Sequence, residues 1–138
     1  TRRSRGGSRE FEARPVDASD EELFTYVGSV ERVVDGDTLE MRLDLGFGVE
    51  VEQTIRLRGI DAPELSTPEG ERARDFVETA LNEAPRVVII TRQRDRYRRW
   101  LADVYYQPGG RDGRRILSHG KLLNLELIEA GLAARYRG

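Results

Sequence analysis

Three short stretches combine residue types that can act together on a phosphate ester. Asp35-Gly36-Asp37-Thr38 is acidic and built around a turn dipeptide, and such turns are common in β proteins. Arg56-Leu57-Arg58-Gly59-Ile60-Asp61-Ala62-Pro63-Glu64 runs a strand into a turn with two carboxylates three residues apart, and an arginine stands five residues before the first. Arg56 and Arg58 are two apart, so a strand turns both to one side, which is either a phosphate-facing groove or a solvated face. Asp95-Arg96-Tyr97-Arg98-Arg99 surrounds an aromatic ring with guanidiniums, as nucleic-acid contact loops do. Asp37, Asp61 and Glu64 together suggest a hard-cation site, because carboxylates without histidine or cysteine suit calcium or magnesium and disfavour zinc. A cation beside two arginines supplies the charge neutralisation that phosphodiester cleavage needs, with Glu64 placed to orient or deprotonate the attacking water.

Composition narrows the alternatives. The 138 residues suffice for one domain, and no apolar run approaches the ~20 residues of a membrane helix, so a membrane partner is not expected. The chain has no cysteine and one histidine, His119, which removes disulfide scaffolds, thiolate zinc sites, thiol nucleophiles and multi-histidine centres. His119, between Ser118 and Gly120, reads as a surface residue. Net charge is -2, so the molecule as a whole does not attract nucleic acid. The basic residues are nevertheless uneven: Lys121 is the only lysine, and Arg86 to Arg115 holds nine arginines against three aspartates. Phosphate contacts would therefore be arginine forks. Absence of cysteine favours a secreted or cell-envelope location over a cytoplasmic one, and Thr1 without a methionine reads as a processed or trimmed start.

The elements that must carry these residues follow from pattern. Residues 1–22 are arginine-rich, then acidic, with little apolar content, and read as a flexible leader to a domain over 23–138. Strands are expected from Phe24 to Val34, from Thr38 to Leu45 with Leu39, Met41, Leu43 and Leu45 alternating, and from Val49 to Arg58. Thr67-Pro68-Glu69 opens a helix with a hydroxyl cap and proline at its first position; Ala73, Phe76, Val77, Ala80, Leu81 and Ala84 form its stripe, and Pro85 ends it. Val87–Ile90 and Trp100–Tyr106 are further strands, with Arg92 to Arg99 in the loop between them. Pro108 to Gly120 reads as a long connection, and Leu122 to Ala130 as a second helix stopped by Gly131. Five strands around an intervening helix favour an all-β Greek-key barrel with two helices over a parallel sheet.

The three stretches in this order, followed by Asn124 to Leu132 with its Glu-Ala-Gly-Leu ending, resemble the staphylococcal (micrococcal) nuclease family over about Tyr26 to Tyr136. The resemblance implies a five-stranded OB-fold barrel and calcium-dependent hydrolysis of DNA or RNA at the 5′ P–O bond, leaving 3′-phosphate ends, by a monomer. It implies one calcium ion on Asp37, Asp61 and the backbone carbonyl of Ala62. Glu64 would hold the attacking water, Arg56 and Arg99 the scissile phosphate, and Arg96 and Tyr97 a neighbouring phosphate or nucleotide. Asp35 would shape the turn. Family members without catalytic residues serve as binding or interaction modules, which is the alternative reading. The sequence also departs from the family pattern. Ala62 replaces a threonine and Arg98 a glycine, so the Arg98 loop is open to another path. Pro108 to Gly120 is long, Tyr136 falls one position from the family's substrate-contacting tyrosine, and the chain stops before a third helix.

Overall fold

The computed structural model describes residues 24–136, so the leader expected over 1–22 lies outside the described residues. Strands β1 (Thr25–Asp35), β2 (Thr38–Asp44) and β3 (Glu50–Leu57) form the expected antiparallel meander. Its β2–β3 reversal takes Gly46, Phe47 and Gly48 through positive φ. After the two-residue β4 (Ile60–Asp61) comes helix α1 (Pro68–Asn82), then β5 (Val87–Arg94) and β6 (Trp100–Tyr106). Helix α2 (Gly113–His119), β7 (Lys121–Leu122), α3 (Leu123–Glu129) and β8 (Ala134–Arg135) complete the order. β1 pairs with both β2 and β5, β5 with β6, and β6 runs parallel to β3. The five long strands thus close on themselves in the OB-fold barrel expected from the sequence.

Alternation builds the interior. Leu39, Met41, Ile55, Leu57, Val87, Ile89, Ala102 and Val104 turn inward and are essentially inaccessible. Thr67 caps α1, its Oγ1 accepting from the Gly70 amide at 3.0 Å, and α1 buries Ala73, Val77 and Leu81. Helix α3 adds Leu123 and Leu127 to the same core, and its Asn124 amide bridges β6 and the end of β3.

Two expectations need correction. There are three helices among the described residues, because Pro108 to Gly120 contains α2. Asp112 caps it and Ile116 alone is buried, so it has no apolar stripe to announce it. The strand expected over Val87–Ile90, ahead of the arginine loop, is also longer than its apolar run: β5 continues through Arg92 to Arg94, its backbone paired to β6 while these side chains are exposed.

Candidate active site

The turn between β1 and β2 is fixed by its own side chains and by a close approach. Asp35 Oδ1 accepts the Asp37 amide at 3.1 Å, the turn-forming role expected for it. A Cβ on Gly36 would lie 2.7 Å from Ala73 Cβ and 2.9 Å from Ala62 Cβ, so glycine is what lets this turn pack against α1 and the segment after β4. Asp37 is thereby buried at the barrel rim. Its Oδ1 accepts from Thr38 Oγ1 at 3.0 Å and its Oδ2 from the Ala62 amide at 2.8 Å. Burial, reinforced by the adjoining Asp37 carboxyl, pushes the Asp35 carboxyl above its ordinary range.

The β2–β3 register sets Arg56 opposite Thr38, directly beside this carboxylate. Arg56 Nη2 lies 3.2 Å from Asp37 Oδ2, 3.0 Å from Asp61 Oδ1 and 3.0 Å from the Ile60 carbonyl. Two aspartates far apart in sequence thus aim oxygens at one nitrogen. Arg56 Nε, also buried, has no partner among the described residues. A buried unsatisfied donor costs about 1–3 kcal/mol, so an anion arriving there gains that much relative to an open surface.

Parallel pairing of β3 with β6 brings the second arginine alongside, since Arg99 immediately precedes β6. Asp95 organises its loop. Asp95 Oδ1 accepts the Tyr97 and Arg99 amides at 2.8 and 2.9 Å, while Oδ2 accepts Arg99 Nε at 2.8 Å and Nη2 at 2.7 Å. Burial alone would raise the Asp95 carboxyl, but these amides and the Arg99 guanidinium outweigh it and hold the group below the usual carboxylate range. Arg98 adopts φ 69°, the left-handed conformation that glycine takes without strain. The loop therefore follows a glycine-type path with an arginine in place.

Arg56, Arg96, Tyr97 and Arg99 line one cleft of about 670 Å³. Tyr97 is exposed between two guanidiniums, with Arg96 Cζ 5.5 Å and Arg99 Cζ 5.2 Å from its ring centre. Tyr136, to which the sequence assigned no role, lines the same cleft. Its amide bonds the Gly59 carbonyl at 2.9 Å and its ring lies 5.8 Å from Arg56 Cζ. The pairing of β4 with β8 puts it there, and two-residue strands carry no periodic signal. A second cleft of about 570 Å³ lies between Asp61, Ala62 and Pro63 and the Ala130–Ala134 segment.

Glu64 is placed differently. Its carboxylate is exposed and makes no hydrogen bond or ion pair with the described residues. Its backbone is nevertheless fixed, because its carbonyl accepts Thr67 Oγ1 at 2.6 Å and the Thr67 amide at 3.0 Å. Direct bonds therefore join Asp37, Asp61, Ala62 and Arg56, a shared cleft joins Arg56 to Arg96, Tyr97 and Arg99, and Glu64 stands apart, its carboxylate unbonded to the described residues.

The donors fit a hard cation. Arg56 Nη2 stands where a positive charge is already coordinated by two carboxylates and a carbonyl, the oxygen chemistry calcium takes. No three acidic, histidine or cysteine side chains among the described residues converge to hold an ion unaided, so backbone carbonyls or water would complete the shell. The Ile60 carbonyl, which sequence reasoning missed because backbone acceptors leave no residue signature, already points at this spot.

A family model described as Staphylococcal nuclease homologue matches residues 54–138, which hold the strand-to-turn stretch and the arginine loop. Endonuclease YhcR of Bacillus subtilis is 31% identical over 124 residues, covering 80% of this chain and 9% of that protein. Micrococcal nuclease of Shigella flexneri is 33% identical over 117 residues, covering 81% of this chain and 59% of its own length. An uncharacterized endonuclease of Escherichia coli O157:H7 is 41% identical over 83 residues, covering 59% of this chain and 50% of that protein. The chain thus spans a small part of the first relative and roughly half of the other two. With the closed barrel and the matched motifs, these likenesses settle its kinship: the chain belongs to the staphylococcal nuclease homologue family.

Proposed function

We propose that this chain is a calcium-dependent phosphodiesterase that hydrolyses DNA or RNA at the 5′ P–O bond and leaves 3′-phosphate ends. The observation that carries this reading is Arg56, whose Nη2 is shared by Asp37 and Asp61 while its buried Nε lacks an acceptor among the described residues. Such an arrangement suits a cation and a phosphate meeting at one point. The names of the relatives, an endonuclease and a micrococcal nuclease, agree with this.

Asp37, Asp61 and a backbone carbonyl, that of Ala62 by family resemblance, would hold one calcium ion, whose charge when bound offsets the negative charge on the phosphate. Arg56 donates from Nε and Nη to the non-bridging oxygens and follows the charge that builds on them in the transition state. Arg99, held by Asp95 through one edge of its guanidinium, binds the same phosphate from the neighbouring strand end. Glu64 receives or orients the proton of the attacking water; the water oxygen bonds phosphorus, the bond to O5′ breaks, and the departing oxygen takes a proton from solvent. Tyr97 and Arg96 contact the adjoining nucleotide by stacking and charge.

Nicking of supercoiled plasmid tests the proposal. Wild-type protein in calcium should convert supercoiled to open circles, EDTA should abolish this, and Glu64→Gln should slow it by orders of magnitude. Calcium-independent cleavage, or binding without cleavage, would overturn it.

A further inference from the structure

Beside the phosphate site lies a second cationic unit with a buried centre. Asp103 on β6 is 7% exposed. It accepts Arg58 Nε at 3.1 Å and Nη2 at 3.4 Å on one side, and Arg92 Nη2 at 3.1 Å on the other. Both arginines line the cleft that holds Arg56, Arg96 and Arg99. Each is locally directed there. β5 pairs Thr91 with Ala102 but Gln93 with Leu101, so Arg92 is the extra residue of a β-bulge, a device that re-aims a side chain. Arg58 is pinned through its backbone, its amide on the Ala102 carbonyl at 2.9 Å and its carbonyl on Asn124 Nδ2 at 2.9 Å.

Fold stability alone does not call for this unit, since a buried ion pair is often no more stable than an apolar replacement. Its effect is positional. One carboxylate holds two guanidiniums, a net positive unit, at fixed places on the cleft wall. Arg58 spends Nε and Nη2 on Asp103 while about half its side chain remains exposed, and its Nη1 makes no bond to the described residues.

We infer that Arg58 and Arg92, held by Asp103, form a second phosphate clamp that grips the backbone of a polynucleotide one or more nucleotides from the scissile phosphate. This rests on the nuclease reading above. It makes the cleft length-selective: a single nucleotide fills the Arg56–Arg99 site, whereas an oligonucleotide reaches both. Asp103 is a positioning residue in this scheme.

Fluorescence anisotropy of a mononucleotide and a single-stranded octanucleotide, titrated with calcium present in a Glu64→Gln background, separates the possibilities. The double variant Arg58→Gln/Asp103→Asn keeps a hydrogen bond between the two side chains and leaves net charge unchanged. It should weaken octanucleotide binding about tenfold and leave the mononucleotide unaffected. The slope of log affinity against log salt should become shallower by about 0.7 for each phosphate no longer neutralised, a change that a merely structural role does not produce. Arg92→Gln should show the same selective loss and serves if the double variant fails to fold. Equal weakening of both ligands, or no change in either, overturns the clamp while leaving the nuclease reading intact. Failure of the Glu64→Gln parent to bind either ligand overturns both.

Discussion

Gly70→Ala isolates the placement of Glu64. Gly70 is the third residue of α1, where alanine would ordinarily stabilise the helix by about 1 kcal/mol. Here a Cβ would fall 1.9 Å from the Glu64 carbonyl oxygen, 2.5 Å from its carbon and 2.9 Å from Leu65 Cα, all backbone atoms that cannot rotate aside. The segment before the helix must therefore retreat by about 1 Å or more, and such overpacking costs about 1–3 kcal/mol. The net expectation is a loss of about 0–2 kcal/mol, seen as a lowered Tm instead of the rise that helix propensity predicts. A displacement of about 1 Å in a catalytic group can cost about 10²-fold in rate, so kcat for plasmid nicking should fall by that order with KM little changed. Glu71→Ala, one residue further on at an exposed position, should leave both quantities near wild type. A Gly70→Ala protein that melts higher and nicks at the wild-type rate would refute the claim that α1 fixes Glu64.

Arg98→Gly should raise stability by about 1 kcal/mol in thermal melts, because it relieves a left-handed backbone at φ 69° that no β-carbon favours; a lower Tm would contradict this. The depressed Asp95 carboxyl stabilises the folded state fully above the unfolded value of about 3.9, and that contribution is lost as pH falls through the lower folded value. Wild-type Tm should therefore fall more steeply below about pH 4 than that of Asp95→Asn, and parallel profiles would exclude the Asp95–Arg99 linkage. At a calcium concentration of about 100 times Kd, wild-type protein should gain about 2.7 kcal/mol, whereas Asp37→Asn should gain little; an undiminished calcium-dependent Tm rise in the variant would remove Asp37 from the site.

Much of the barrel was legible because its physics is local. Leu39, Met41 and Leu43 alternate strictly, and Thr67-Pro68 marks the start of α1 with a cap and a proline that needs no amide partner. The candidate site was proposed from short motifs and the resemblance they carry, since charged side chains are too common in this chain to mark it, and the fold brings Asp37 and Asp61 to the Arg56 guanidinium while leaving Glu64 unbonded to them. What escaped depends on tertiary packing. α2 buries only Ile116, and the outer half of β5 is polar on its exposed face, so neither shows a period. Tyr136 reaches the cleft through two-residue strands, the Ile60 carbonyl has no residue signature, and Asp103 looks like one acid among many until Arg58 and Arg92 close on it.

Calorimetric titration of calcium into the wild-type, Asp37→Asn and Asp61→Asn chains tests the cation site most directly, with a mononucleotide present to draw Arg56 from the aspartates. One ion per chain should bind the wild type, with affinity strongly reduced in both variants. No calcium heat in the wild type, or the same isotherm in all three proteins, would contradict the placement of cation and phosphate at Asp37, Asp61 and Arg56.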